Sequence, residues 1–342
     1  IPREGEPRAL VHAIERHNLD MLPGRKIVYG RRDQLEAGLT ELLKGVTRVA
    51  MEYSPGCAIP YVSRVDAGTA EAVRARGVDI VSSGDLVQAF EAVWTPAQLE
   101  THRVASDALY RIKDKAFAAA AAAVRAGTPL TEYELQQQMV GWFGDEGLVS
   151  DSAPVVAVGP HAGDPHYLPT RESASVIGPD QLLLLDLWGK LAQAGAVFAD
   201  ITWVGFTGTA VPAPMVKAFD AAARARDAAV NLVQAAAREG RELRGWEVDR
   251  VARTVLVEAG FEAQVLHRTG HSLGESVHGN GAHLDDYETH DDRQLLPGTG
   301  FTVEPGVYLA DFGVRTEINV FRGDREAVVT GPCQNAIVPL LS

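Results

Sequence analysis

Cysteine is nearly absent from this chain. Two residues in 342, Cys57 and Cys333, exclude a disulfide scaffold at this length and point to a reducing, cytoplasmic compartment. Long apolar runs are missing too. No stretch approaches the ~20 residues needed to span a bilayer, and no signal peptide is visible, so no membrane partner is expected. Positive charge is in the minority: 32 Lys and Arg against 45 Asp and Glu leave a formal net charge of −13. That balance argues against nucleic acid as the main partner. Apolar residues at 46% and charged residues at 23% are otherwise ordinary for a globular protein, with room for two domains. The chain begins at Ile1 rather than Met, which leaves room for N-terminal sequence ahead of it.

What is present in unusual places is acid. Asp186 follows the run Leu182-Leu183-Leu184-Leu185, and Asp200 sits between Phe198-Ala199 and Ile201. Glu304 follows Phe301-Thr302-Val303, and Glu317 lies in Val314-Arg315-Thr316-Glu317-Ile318. Acidic side chains inside strand-like apolar segments are costly unless paired or bound to a cation. One imidazole, His271, stands in Thr269-Gly270-His271-Ser272-Leu273-Gly274, where small neighbours allow close approach. Four carboxylates and one imidazole suit two hard or borderline divalent metals.

The strands 181–188 and 196–206 are separated by a turn at 189–195, so pairing them brings the two aspartates side by side. Two carboxylates that close repel, so one is protonated or both hold a cation. The alternative is an aspartate at a strand end, capping a turn. Arg315 and Glu317 share a strand face by alternation. Arg315 is thereby placed to hold a ligand carboxylate, or else to form a solvated edge-strand salt bridge. His278 follows His271 by seven residues, and His166 lies on a loop after the strand 153–158. His161 and His283 read as surface histidines.

Residues 1–94 read as a small α/β domain, with short strands at 48–53 and 78–81 and a helix at 67–76 between them. At Thr95-Pro96-Ala97-Gln98 the character changes. Thr95 is a good N-cap, Pro96 suits the first turn, and Gln98 completes a capping box. The pattern predicts a long helix to about Ala126, closed by Gly127, and opens a second domain at 95–342. That domain carries a faint internal repeat. Gly127, Tyr133-Glu134-Leu135 and Gly147 recur as Gly240, Trp246-Glu247-Val248 and Gly260, at an offset of 113 residues. Asp186 to Glu304 and Asp200 to Glu317 are offset by 118 and 117. A duplication predicts two half-domains, each giving a carboxylate pair to one central site. The sheet between them is expected to be mostly antiparallel and strongly curved, with helices behind it.

The succession Asp186, Asp200, Gly270-His271, Val303-Glu304-Pro305-Gly306 and Arg315-Thr316-Glu317 resembles the pita-bread metallopeptidases. That family includes methionine aminopeptidase, aminopeptidase P, prolidase and creatinase, and the similarity covers about residues 97–335. The resemblance implies an α+β fold with two pseudo-symmetric ααββ halves. It implies a dinuclear site of manganese, or of cobalt or zinc, ligated by Asp186, Asp200, His271, Glu304 and Glu317. It further implies a metal-bridging hydroxide as nucleophile, with Glu304 as general base. His166 and His278 would contact substrate or pass protons, and the protein would be a homodimer. One departure is visible: the family usually places its aspartates eleven residues apart, and here they are 14 apart.

The length of the segment ahead of residue 95 resembles prolidase, aminopeptidase P and creatinase rather than methionine aminopeptidase. Creatinase lacks the full ligand set that is intact here. Prolidase must bind the carboxylate of a Xaa-Pro dipeptide, and the segment 283–293 lies where prolidases carry an arginine for that purpose. Arg293 or His290 is the expected counterpart, with a charged solvated loop as the alternative. The expected function is therefore hydrolysis of Xaa-Pro dipeptides. Two alternatives stand beside it: a Xaa-Pro aminopeptidase acting on longer peptides, and a non-catalytic relative that binds peptides or partners. Retention of all five ligand positions argues against the last.

Overall fold

In the computed structural model, which describes residues 1–342, the first 84 residues form a unit of their own. In it β1 (Arg8–His12) pairs with β2 (Arg25–Tyr29), and β3 (Arg48–Met51) pairs with β4 (Asp79–Ser82), both in parallel. Helix α1 (Arg32–Leu42) follows β2, and α2 (Ala67–Arg74) links β3 to β4. Parallel neighbours need such a crossover. Ala70 and Val73 of α2 are buried with Val78 and Ile80, which fixes that helix on its strand pair.

The second unit runs from Asp85 to Ser342, so the division falls ahead of the boundary expected at Thr95. Helix α3 (Gly84–Glu91) and the residues after it explain the difference. The Gln88 side chain donates to Gln294 O at 2.9 Å and accepts from Ala282 N at 3.2 Å. Trp94 N donates to Gly298 O at 2.7 Å, and its indole donates to Leu273 O at 3.2 Å. A capping box marks where a helix starts, not where packing begins.

Helix α4 (Pro96–Ala126) begins as the sequence predicts, with Thr95 Oγ1 accepting from Gln98 N and Gln98 Oε1 accepting from Thr95 N. After it come α5 (Glu132–Asp145), β5 (Leu148–Val149), β6 (Val155–Val158), β7 (Leu182–Leu191) and β8 (Ala199–Phe206). The second half repeats the order with α6 (Ala213–Glu239), α7 (Gly245–Glu258), β9 (Ser272–Leu273), β10 (Thr299–Val303), β11 (Gly306–Tyr308), β12 (Gly313–Arg315), β13 (Ile318–Arg322) and β14 (Ala327–Val329). Strand β15 (Val338–Pro339) returns to lie beside β8.

The likeness of the halves is physical. Both long helices end on a glycine in the left-handed region, Gly127 at φ +63° and Gly240 at φ +67°, where a Cβ would be strained. Both following helices open with a glutamate that accepts from the cap residue's N–H, Glu134 from Thr131 at 2.8 Å and Glu247 from Arg244 at 2.8 Å, and Thr131 completes a capping box through its hydroxyl. Both cap residues make an isolated antiparallel bridge, to Val176 and to Gln294. The pairings of this unit are antiparallel apart from β15 on β8. The fold is the expected α+β pita bread. No helix is long and apolar enough to cross a membrane.

Strand β7 explains the leucine run. Leu183, Leu185 and Leu187 pack with α4 and α5, while Leu182 and Leu184 pack in the cluster that contains α6 and α7. A strand buried on both faces reads as continuous apolar sequence. Each such leucine contributes about 2 kcal/mol, so an aspartate among them needs a specific compensation. The strand also overruns the turn expected at 189–195. Leu148 pairs with Leu191 and Val149 with Lys190, which keeps β7 in its ladder past Gly189.

A buried histidine outside the site gives this unit a pH-dependent strut. His102 of α4 lies 2.8 Å from Phe198 O through Nδ1 and 2.7 Å from Thr330 Oγ1 through Nε2. Burial pushes its pKa down to about 4. The ring is neutral in the fold, whereas the unfolded chain protonates it near 6.5. The unfolded state binds more protons between those values, so the contribution is complete above pH 6.5 and lost as pH falls towards 4. The loss integrates to on the order of 3 kcal/mol. Urea unfolding of wild type and His102→Gln at steps from pH 7 down to 4.5 should show their stabilities converging. Parallel curves would remove His102 as a cause.

Candidate active site

The ladder between β7 and β8 sets the first pair of carboxylates. Asp186 lies opposite Thr202, and Trp188 lies opposite Asp200. Opposed residues project to one face, and alternate residues of a strand share it. Asp186, Trp188, Asp200 and Thr202 therefore stand on the same side, with the aspartates as diagonal neighbours. The second pair comes from β10 and β13. Their last paired residues are Val303 and Ile318, so Glu304 and Glu317 leave that ladder together. The sheets meet at this point: Glu317 N donates to Thr202 O at 3.2 Å, and Asp200 N donates to Asn319 Oδ1 at 3.0 Å.

His271 enters from the segment before β9. Gly270 beside it lies so close to β10 that a Cβ would stand 2.1 Å from Thr302 O, which only glycine avoids. Thr302 Oγ1 then accepts from His271 N at 2.9 Å and donates to Glu304 Oε1 at 3.2 Å. His271 Nε2 is 3.6 Å from Asp200 Oδ2 and 3.5 Å from Glu304 Oε1. One donor atom from each of Asp200, His271 and Glu317 falls within a span of 4.8 Å, and all three residues are buried. Arg315 holds the other side. Its guanidinium donates to Asp186, to Thr202 Oγ1 at 2.9 Å and to Tyr308 OH at 3.0 Å. Thr202 Oγ1 in turn donates a hydrogen bond to Glu317 Oε2 at 2.6 Å. Tyr308 OH also meets His267 Nε2 at 2.7 Å.

The electrostatics follow from this crowding. Burial, then the neighbouring carboxylates, raises the pKa of Asp200 and Glu317 well above the ordinary range. Burial raises Asp186 too, against the pull of Arg315. Burial acts the same way on Glu304, but the imidazoles of His271 and His267 and the Arg315 guanidinium outweigh it and hold its pKa low. Burial pushes His271 down, which leaves it neutral and fit to be a ligand. The cluster forms the floor of a cavity of about 570 Å³.

The sequence profile of metallopeptidase family M24 matches residues 107–321. The chain belongs to that family. Among curated M24-like relatives, a Xaa-Pro dipeptidase of Lactobacillus delbrueckii subsp. lactis is 30% identical over 56% of this chain and 46% of that protein. A probable dipeptidase PepE of Mycobacterium tuberculosis is 28% identical over 54% of this chain and 45% of its own length. The chain thus spans about half the length of the curated relatives it matches. Among solved structures, dipeptidase PepE from Mycobacterium ulcerans superposes with a TM-score of 0.68 at 22% identity, covering 99% of this chain and 85% of that one. An X-Pro aminopeptidase from Thermotoga maritima gives 0.62 at 20% identity, over 96% and 86%. At those identities the superpositions speak for the fold alone.

Family M24 is metal-dependent, and the floor has the chemistry for divalent ions. Its donors are carboxylate oxygens and a neutral imidazole. Asp200 Oδ1 is buried without any hydrogen-bond partner, a costly state that a cation relieves. The other residues singled out in the sequence divide into two groups. His278 and His166 line the cavity as exposed side chains above the floor, and the rings of His278 and His271 are 4.3 Å apart. Desolvation by the walls pushes the pKa of His278 down to about 4, so its ring is neutral at pH 7.

Arg293 and His290 are not in the cavity wall. The Arg293 guanidinium is buried on Asp291, at 2.6 and 3.0 Å, and on Asn280 O at 3.0 Å. His290 bonds Asp286 at 2.7 Å and stacks on Trp246. His283 is no surface residue: it is buried, and its Nδ1 accepts from Ser272 N at 3.0 Å. His161 is half-buried against Glu132. Thr202, Tyr308, His267 and Arg268 went unread in the sequence. Thr202 was findable, because it shares a strand face with Asp200 two residues earlier.

Removing a repelling charge should separate metal binding from folding. Asp200→Asn is expected to raise the melting temperature of the metal-free protein and to abolish the further rise that manganese gives wild type. Asp200→Ala should lose activity with its fold intact. A manganese-dependent shift retained in both variants would refute Asp200 as a ligand.

Proposed function

We propose that this chain hydrolyses the Xaa-Pro bond of dipeptides with two divalent ions, most naturally manganese, held by Asp186, Asp200, His271, Glu304 and Glu317. The observation that carries the reading is the charge balance of the cavity floor. Four ionised carboxylates against one committed guanidinium, Arg315, leave three negative charges in excess, which one divalent ion would only partly offset and two divalent ions together with one hydroxide would balance. Bound ions would supply Lewis acidity, lowering the pKa of the attacking water and polarising the carbonyl before proline. The Glu304 carboxylate takes the water proton and passes it to the proline nitrogen, which must gain a proton as the C–N bond breaks. His278, neutral, offers an N–H to the developing oxyanion, and His166 offers one to the substrate from the facing segment.

Specificity for a dipeptide requires recognition of its carboxylate. Arg268 and Arg315 are the two guanidinium groups that line the cavity, and Arg315 is committed to Asp186, Thr202 and Tyr308. Arg268 lies on the wall, 3.6 Å from Glu288 and 3.9 Å from Asp285. It takes the role that Arg293 and His290 are not placed to fill. Val155, Pro165, Trp188 and Val277 give the cavity its apolar side, against which a proline ring fits. The name of the Lactobacillus relative agrees with this reading. A homodimer working in the cytoplasm belongs to the same reading by family resemblance, and sedimentation of the purified protein tests the dimer.

The deciding assay compares a Xaa-Pro dipeptide with a Xaa-Pro tripeptide in the presence of manganese. Turnover of the tripeptide alone would move the assignment to a Xaa-Pro aminopeptidase. No bound metal and no hydrolysis of either would leave a peptide-binding protein. Arg268→Gln should raise KM for the dipeptide roughly tenfold or more, the worth of a charge-assisted contact, and leave KM for the corresponding dipeptide amide unchanged.

A further inference from the structure

One buried carboxylate outside the metal cluster has no part in the chemistry so far. Glu132, the first residue of α5, is 0% exposed. Its Oε1 accepts from Val158 N at 2.7 Å. Its Oε2 accepts from Tyr167 OH at 2.6 Å and from Ser175 N at 2.7 Å. His161 Nδ1 lies 2.9 Å from Oε2. These partners mark the start, middle and end of the segment between β6 and β7. That segment supplies Pro165, His166, Tyr167 and Leu168 to the cavity wall.

The segment has little structure of its own beyond a 3-10 turn at Gly159–Gly163. A connection that long, without helix or strand, is mobile unless something orders it. A carboxylate is acceptor-only with about four lone-pair sites, and Glu132 meets four donors. Hydrogen bonds to an ionised acceptor are roughly twice as strong as neutral ones. The His161 and Tyr167 rings stack with centroids 4.1 Å apart, so one acid fixes both. His166 is the residue between the Asp164 turn, whose Oδ1 accepts its backbone N–H, and the anchored Tyr167.

The second half contains a matching device. Asp249 of α7 is 1% exposed. Its Oδ1 accepts from Thr269 N at 2.9 Å and Thr269 Oγ1 at 2.7 Å, and its Oδ2 accepts from Asp286 N at 3.0 Å. Thr269 is two residues before His271. In each half a buried acid on the second helix reaches the segment that bears a site histidine.

We propose that Glu132 is a positioning residue that holds His166 and Tyr167 in the cavity wall, and that Asp249 in the same way positions the segment that bears His271. The kinetic side of this inference rests on the Xaa-Pro reading; the structural side does not. Glu132→Gln keeps the size but sets an amide NH2 against the N–H donors. Hydrogen exchange read by mass spectrometry should quicken roughly tenfold across residues 159–175 in Glu132→Gln and in Tyr167→Phe, with α4 and α6 unchanged. On a Xaa-Pro dipeptide, Glu132→Gln should lower kcat/KM on the order of tenfold, yet change it less than about twofold when His166 is already alanine. A merely structural role would give the same factor with and without His166, and would overturn the proposal, as would unchanged exchange. If Glu132→Gln does not fold, Tyr167→Phe carries both readouts. A wild type that cleaves no Xaa-Pro substrate would end the functional reading, while the exchange comparison would still decide the positioning role.

Discussion

Four carboxylates share one buried face, and Arg315 is the group that lets the chain fold around them. Its guanidinium contacts Asp186, Thr202 and Tyr308, and lies 3.9 Å from Glu304. Removing one partner of such a buried pair typically costs about 3–5 kcal/mol, because the other charge is stranded. The arginine is fixed in turn by the β11–β12 hairpin, where it pairs with Gly306 just after the turn that releases Glu304. Electrostatics and topology thus close on one another. The strand that carries the compensating cation ends at Arg315 and Glu317 follows two residues later, ahead of β13, while the glutamate two residues ahead of the hairpin's pairing partner lies 3.9 Å from the same cation.

The two halves give the floor matched carboxylate pairs and leave the walls different. Helix caps, isolated bridges and carboxylate pairs recur in both halves, because backbone hydrogen bonding and strand register repeat with the fold. The walls are built from the connections. In the first half a long segment is gathered onto Glu132. In the second, Asp249 anchors Thr269, and Asp285 gathers the amides of Tyr287, Glu288 and Thr289. Buried acids that accept from backbone amides do in these connections what ladders do in strands.

That division explains what was legible in the sequence. Asp186, Asp200, Glu304 and Glu317 stand out because charge inside apolar strands is costly and therefore rare. The capping box at Thr95 and the glycine stops are local signals, and the helices obey them. The walls depend on partners far apart in sequence. His161 reads as a surface residue until Glu132, 29 residues earlier, is placed beside it. Arg293 reads as a ligand-binding arginine until Asp291 takes its Nε and Nη2 and the carbonyl of Asn280, 13 residues earlier, takes its Nη1. Nothing in the local sequence distinguishes an arginine that lines a cavity beside its acidic partners, as Arg268 does, from one buried away from the cavity on its aspartate, as Arg293 is.

The wider spacing of the two aspartates shows how a departure from the family pattern can be absorbed without touching the ligands. Extra residues between paired strands either lengthen the turn or lengthen the ladder. Here β7 pairs on with β5 through Leu191, so the ladder takes part of the insertion. The extension plants Lys190 where its Nζ donates to Glu275 O at 2.6 Å and lies 5.1 Å from the centre of the Phe198 ring. Glu275 is three residues before His278, and Phe198 N donates to Gly274 O at 2.9 Å. Both contacts fasten the His278 segment to the first half of the fold. A longer flexible turn would have left that segment unbraced, whereas a longer strand carries a cation to it. The longer connection therefore braces the segment that carries His278 and leaves the carboxylate cluster itself untouched.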